Sequence, residues 1–187
     1  MPSSACLACQ VVPYIASGYR KDKIWLRRTR CSSRRYSLLV AVDDSESMAL
    51  SGAAPLAVEA VGTLLTGLAQ LEVGSVGVLA FADGVRLLHP PDEPLSAAVT
   101  ERVLGGFTFR GRSTHMAELL TSSVALLAQQ RARAAAPGGS GAEQLQLLLI
   151  VSDGRRTPSW GDPAPLVRAA EAQGVRACFV ILDAPQP

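Results

Sequence analysis

Aromatic side chains are scarce in this chain, at 5% of 187 residues, so its core must be built from Leu, Val, Ala and Ile. Charged residues are also few, at 18% against 48% apolar residues, a balance that excludes disorder over most of the chain and fits a globular domain. The length suits one domain with a core large enough for independent folding. No run of 18 apolar residues occurs, so no membrane span is expected. Residues 1–10 carry no charged start and too short an apolar stretch for a signal peptide, which predicts an intracellular protein. Cysteine is limited to positions 6, 9, 31 and 178. Cys6 and Cys9 form a CxxC pair, but no second pair or histidine partner completes a zinc site, and the pair does not follow a strand as a redox motif would. It is read as incidental, and Cys178, in an apolar run, as core. No Walker motif is present, which leaves no ATPase site in this chain. Neither histidine is placed to complete a triad with a serine.

The net charge of +2 hides an asymmetry. Residues 20–35 hold eight basic side chains (Arg20, Lys21, Lys23, Arg27, Arg28, Arg30, Arg34, Arg35) against one acid, Asp22. Such a stretch is either a solvated lead-in or a surface for nucleic acid, an import receptor or an acidic neighbour. The interleaved Ile24, Trp25 and Leu26 weigh against a purely solvated arm. Three regions are therefore expected: a lead-in over 1–19, a basic segment with a tryptophan motif over 20–36, and a domain over 37–187.

Within that domain, strands alternate with helices. The apolar run 37–42 predicts a strand, and 55–71 a helix, with apolar residues at helical spacing and Pro55 in the first turn. Residues 74–81 read as a strand buried on both faces. Ala82-Asp83-Gly84 is a turn signal, so 85–89 should pair antiparallel at a sheet edge, with His89 on the surface. Short and long helices follow over 95–104 and 115–134, then a Gly-rich loop over 135–142. Residues 145–151 predict a central strand, 163–173 a helix stopped by Gly174, and 175–182 a further central strand. The fold class is α/β, doubly wound, with a mainly parallel sheet and helices on both faces. In such folds ligands gather outside the carboxyl ends of the strands.

Chemistry concentrates at those ends. Asp43-Asp44-Ser45-Glu46-Ser47 follows the first strand directly, and Asp153-Gly154 closes the third central one. Thr114 lies on the loop before the long helix. Two carboxylates and three hydroxyls on converging loops suit a hard divalent cation such as Mg²⁺, which takes oxygen ligands and keeps part of its water. Each residue alone has a plainer reading: Ser45, Ser47 and Thr114 as helix caps, Asp153 as a turn residue. Their joint order at the right element ends favours the cation. Asp44 and Glu46 are expected to face solvent or tune local charge, and His115 to start the helix rather than ligate. Arg110, Arg112, Arg155 and Arg156 flank the rim, either meeting an acidic partner or offsetting the carboxylates.

Asp-x-Ser-x-Ser, then Thr, then Asp-Gly on an α/β scaffold resembles a von Willebrand factor A domain with a metal-ion-dependent adhesion site. The resemblance implies that Asp43, Ser45, Ser47, Thr114 and Asp153 are the metal positions. It also implies that a partner carboxylate completes the shell of Mg²⁺, or of Mn²⁺ or Ca²⁺. Further stretches are more particular: residues 12–17, Arg20 to Lys23, Lys23 to Thr29, Asp43 to Met48, and Phe107 to Phe109 before Ser113 and Thr114. Together these are similar to the C-terminal region of the midasins, giant AAA-type ATPases of large-subunit ribosome assembly, over roughly residues 11–185. That likeness implies nuclear location, chaperone-like work on pre-60S particles, and assembly factors with ubiquitin-like domains as partners. Residues 1–10 fall outside it. Glu46 is larger than the small residue expected between the two serines. The end at Pro187 reads as a truncation, since an adhesion-type domain goes on to another helix.

Two other functions compete. One is an adhesion module of another intracellular protein. The other is a Mg²⁺-dependent phosphohydrolase using Asp43, disfavoured because a phosphatase of the Asp-x-Asp type would carry an acid where Ser45 stands.

Overall fold

The computed structural model describes residues 35–71, 74–135, 144–155 and 162–183. The lead-in 1–19, Trp25, Arg27, Arg28, Arg30, Arg34, Cys6, Cys9, Arg156 and nearly all of the predicted Gly-rich loop lie outside the described residues, and of Arg35 only the backbone is described.

The first strand, β1 (Arg35–Asp43), is apolar on both sides because it lies at the middle of a five-stranded sheet. Leu38, Val40 and Val42 face one layer of helices, and Leu39 and Ala41 the other. Two helices follow: α1 (Glu46–Leu50) and α2 (Ala53–Gln70). Between them Gly52 takes a left-handed φ of 74°, which glycine adopts without steric cost. The sequence did not predict α1, since five residues are too few to display a helical period. In α2 the small residues Ala53 and Ala57, then Val61 and Leu65, form one buried stripe. By length and composition α2 also passes as a membrane span, but that stripe packs on the sheet with Val76 and Val78.

Strand β2 (Gly74–Phe81) pairs parallel with β1, and β3 (Val85–His89) returns antiparallel at the edge. Then come α3 (Ala97–Leu104), capped by the Ser96 hydroxyl accepting from the Val99 N–H, and α4 (Met116–Ala135). Strand β4 (Gln144–Ser152) pairs parallel with the other side of β1. Helix α5 (Ala164–Ala172) leads back through Gly174 (φ 79°) to β5 (Val175–Ile181), parallel to β4. The strand order is β3-β2-β1-β4-β5. Helices α4 and α5 cover one face, burying Leu79, Phe81, Leu148 and Ile150. Helices α1, α2 and α3 cover the other through Met48, the α2 stripe and Val103. The expected α/β fold with a mainly parallel sheet is therefore the observed one.

Three sequence expectations are corrected. Strand β5 is an outer strand, not a central one, and Phe179, Val180 and Ile181 are exposed. Cys178 is consequently exposed and not core. His89 is wholly buried rather than on the surface, because the chain after it turns back at residues 90–93 and the Glu93 carbonyl lies 3.2 Å from its Nε2.

Candidate metal centre

Going from β1 to β2 the chain moves to one side, and β4 lies on the other, so the order of strands reverses between β1 and β4. At such a point the loops leaving adjacent strands diverge and open a crevice at their carboxyl ends. Asp43 ends β1 and Asp153 follows the end of β4.

Asp43 is 2% exposed. Its Oδ1 accepts the Ser45 N–H at 3.1 Å and its Oδ2 the Ser152 hydroxyl at 2.7 Å. The Ser45 and Ser47 hydroxyls are 2.9 Å apart. Asp153 accepts the Arg155 N–H at 3.0 Å, and the Ser51 hydroxyl lies 3.4 Å from its Oδ2. The Arg155 guanidinium is 3.7 Å from that oxygen; the Asp153 side chain is nearly buried while that of Arg155 is half exposed. Thr114 is buried on the same rim. Its loop is fixed there because the His115 N–H donates to the Ala82 carbonyl, just beyond the end of β2, at 3.1 Å. Hydrogen bonds thus link Asp43 to Ser45 and Ser45 to Ser47, Asp153 lies near enough for its charge to act on Asp43, and the loop before α4 that carries Thr114 is tied to the end of β2.

Electrostatics bear on what this group can hold. Burial pushes the Asp43 carboxyl above its ordinary range; hydrogen bonds from Ser45 and Ser152 pull it back in part, and the charge of Asp153 adds to the push. Two buried carboxylates close enough to repel are relieved by a cation. The donor set is oxygen alone, which selects a hard ion. No group of three His, Cys, Asp or Glu side chains occurs among the described residues, so a nitrogen- or sulfur-rich metal site has no counterpart there.

Asp44 overturns its expectation. It is not solvent-facing: its residue exposure is 3%. Its carboxylate accepts the Thr108 N–H (2.7 Å) and hydroxyl (2.9 Å), the Phe109 N–H (2.5 Å) and the Arg86 guanidinium (2.5 Å). Glu46 is exposed. His115 shares a 3.0 Å contact between its Nε2 and the Ser113 hydroxyl. Arg110, Arg112 and Arg155 are all exposed beside the rim.

Sequence reasoning missed Asp44, Arg86, Ser152 and Asp83. Asp83 Oδ1 accepts the Ser113 hydroxyl at 2.6 Å and the Ser113 and Arg112 N–H groups at 2.8 and 3.1 Å, so it holds the loop that delivers Thr114. These bonds hold its carboxyl below the usual range. Only Ser152 carried a local signal, as the last strand residue before Asp153. The other three act on loops distant in sequence.

This is the fold of the von Willebrand factor A domain. A solved von Willebrand factor type A protein from Catenulispora acidiphila aligns with a TM-score of 0.51 at 14% identity, covering 78% of this chain and 33% of its own. Proximal thread matrix protein 1 from the mussel byssus, solved with a zinc-occupied MIDAS motif, aligns at 0.59 and 18%, covering 78% and 37%. At these identities the likeness is one of fold. Sequence is more particular, and what it resembles is midasin. The chain is 34% identical over 176 residues to midasin of Dictyostelium discoideum and 36% identical over 174 residues to midasin of Giardia intestinalis, matches that cover 94% and 93% of it. It spans 3% of the length of either relative. No protein-family profile matches it. The resemblance read from residues 12–29, 43–48 and 107–114 is thereby borne out.

Proposed function

We propose that this chain is a cation-dependent protein-binding module, in which Asp43, Ser45, Ser47, Thr114 and Asp153 hold one divalent ion. The observation that carries the reading is the pair of buried carboxylates, Asp43 and Asp153, beside hydroxyls that converge on each other across 2.9 Å. A cation held there would supply a strong local charge able to attract a partner's carboxylate. The zinc in the MIDAS motif of the mussel protein supports a divalent ion in this fold. Mg²⁺ suits a set of oxygen donors, and Mn²⁺ or Ca²⁺ has the same ligand preference.

The chain's own groups set the rest of the interface. Arg110, Arg112 and Arg155 stand exposed beside the rim and favour an acidic partner surface, a role we extend to Arg156, which follows Arg155 in sequence and lies outside the described residues. The similarity to midasin supports a place in large-subunit ribosome assembly, with a nuclear location. We assign the partner as a ubiquitin-like domain of a pre-60S assembly factor that presents one Glu or Asp to the cation.

The test is a calorimetric titration of Mn²⁺ into the 187-residue chain and its Asp43→Ala variant, repeated with a ubiquitin-like domain as titrant. The wild type should bind Mn²⁺, and should bind the domain only when divalent cation is present. Domain binding that survives both EDTA and Asp43→Ala would sink the proposal.

A further inference from the structure

Asp43 and Asp44 are neighbours in sequence, yet their carboxylates serve different partners. Asp43 is bonded within the rim by Ser45 and Ser152. Asp44 reaches to another part of the chain: the 107–112 segment, which carries Arg110 and Arg112. Its main chain does the same. The Gly111 N–H donates to the Asp44 carbonyl at 3.1 Å, and the Glu46 N–H donates to the Gly111 carbonyl at 2.7 Å. A short parallel bridge between Ser45 and Gly111 results.

The segment held in this way is under backbone strain. Phe109 has a φ of 51°, and it is the non-glycine residue with positive φ among the described residues. A bulky side chain in that region is strained, and such strain persists only where surroundings over-determine it. Here the Phe109 N–H donates to the buried Asp44 carboxylate, a charge-assisted bond stronger than a neutral one. Arg86 contributes from β3: its Nη2 bonds Asp44 and lies 3.3 Å from the carbonyl of Gly106, the residue just before the segment.

We propose that Asp44 is a positioning residue, a latch that holds the 107–112 segment in its strained form against the cation loop. The segment that meets the partner and the loop that holds the ion then move as one unit. By reciprocity of coupling, ordering either favours the other. This inference rests on the cation-site reading for its consequence, but the latch itself does not need the ion.

Backbone amide exchange of the full chain, with Mn²⁺ calorimetry alongside, separates the two. In metal-free Asp44→Asn, the amides of Thr108, Phe109 and Gly111 should exchange about tenfold faster or more, while those of Val40 and Leu148 stay as in wild type. In Asp43→Ala the same three amides should keep their protection although Mn²⁺ binding is gone. Mn²⁺ should still bind Asp44→Asn, severalfold more weakly. The latch is overturned if the loop amides of Asp44→Asn stay protected, if strand and loop amides lose protection equally, or if Asp43→Ala opens the loop as much. Should Asp44→Asn fold poorly, Arg86→Ala decides, because it removes only a half-exposed donor: loop-selective acceleration supports the latch and none refutes it. A wild type that binds no Mn²⁺ would end the cation reading, while the exchange pattern would still decide the latch.

Discussion

Asp43 is buried, and burial pushes its carboxyl above the ordinary range, so as an anion it is costly without a counter-charge. Its replacement therefore separates function from stability. Asp43→Ala should leave the thermal midpoint unchanged or higher, since a destabilised buried charge is removed. Mn²⁺ affinity should fall by more than the roughly 10–100-fold that losing an outer-shell partner costs. Calorimetry and a melting curve on the same sample check both.

His89 offers a second test, away from the rim. It is wholly buried, its Nδ1 has no hydrogen-bond partner, and the Glu93 carboxylate stands 3.7 Å away. Burial depresses its pKa below the ordinary 6.5, offset in part by Glu93. The unfolded chain then binds the proton better than the folded one. Stability should be full above pH 6.5 and decline as pH falls from there through the lower folded value. Urea midpoints from pH 8 to 5 should show that decline in wild type, and a shallower one in His89→Gln.

Among the elements, the bridge between Ser45 and Gly111 joins the cation loop to the 107–112 segment. A Cβ at Gly111 would stand 2.2 Å from the Ala82 Cβ and 3.3 Å from the Asp44 carbonyl, so no side chain fits without moving β2's end or the cation loop. Gly111→Ala should cost about 1–3 kcal/mol, the usual range for overpacking, and weaken Mn²⁺ binding with it. Truncating the central strand acts differently: Leu39→Ala, in the fully buried core beneath α4, should cost about 2–5 kcal/mol and leave ion affinity per folded molecule unchanged. Denaturant melts with parallel Mn²⁺ titrations distinguish the two.

The same elements show what was legible beforehand. Strand β2 and hairpin strand β3 could be read to the residue because a continuous apolar run and an Asp-Gly turn are local signals. Asp43 and Asp153 could be set at strand ends because each closes or follows such a run. The burial of Asp44 could not be read, since it depends on a segment some 64 positions away folding over it. His89 was missed for a similar reason, and Cys178 because no local pattern tells an outer strand from an inner one. For the whole rim, the order of motifs put Thr114 on the loop before the long helix, but the Asp83 clamp that holds that loop has no sequence signature.

At the scale of the molecule, two chemistries are separable by what disrupts them. The rim should bind through one ion and one partner carboxylate, an interaction broken by chelation and only modestly by salt. The basic segment over 20–35, proposed as a contact for nucleic acid or an import receptor, should behave oppositely. Counterion release makes phosphate binding fall with salt at a log–log slope of roughly −0.9 per contact on duplex DNA, whatever the divalent cation. Deleting residues 20–30 should flatten that slope for a duplex probe. Trp25 and Leu26 lie outside the described residues; removing a large aromatic from water is worth about 25 cal/mol per Å² of apolar surface, so any burial of Trp25 would add to stability. The deletion should then also lower the thermal midpoint. A flattened slope with an unchanged midpoint would make the segment an independent arm. If EDTA rather than salt released the duplex probe, the rim itself would be holding phosphate, and the division of labour between acid-seeking rim and anion-seeking arm would fail.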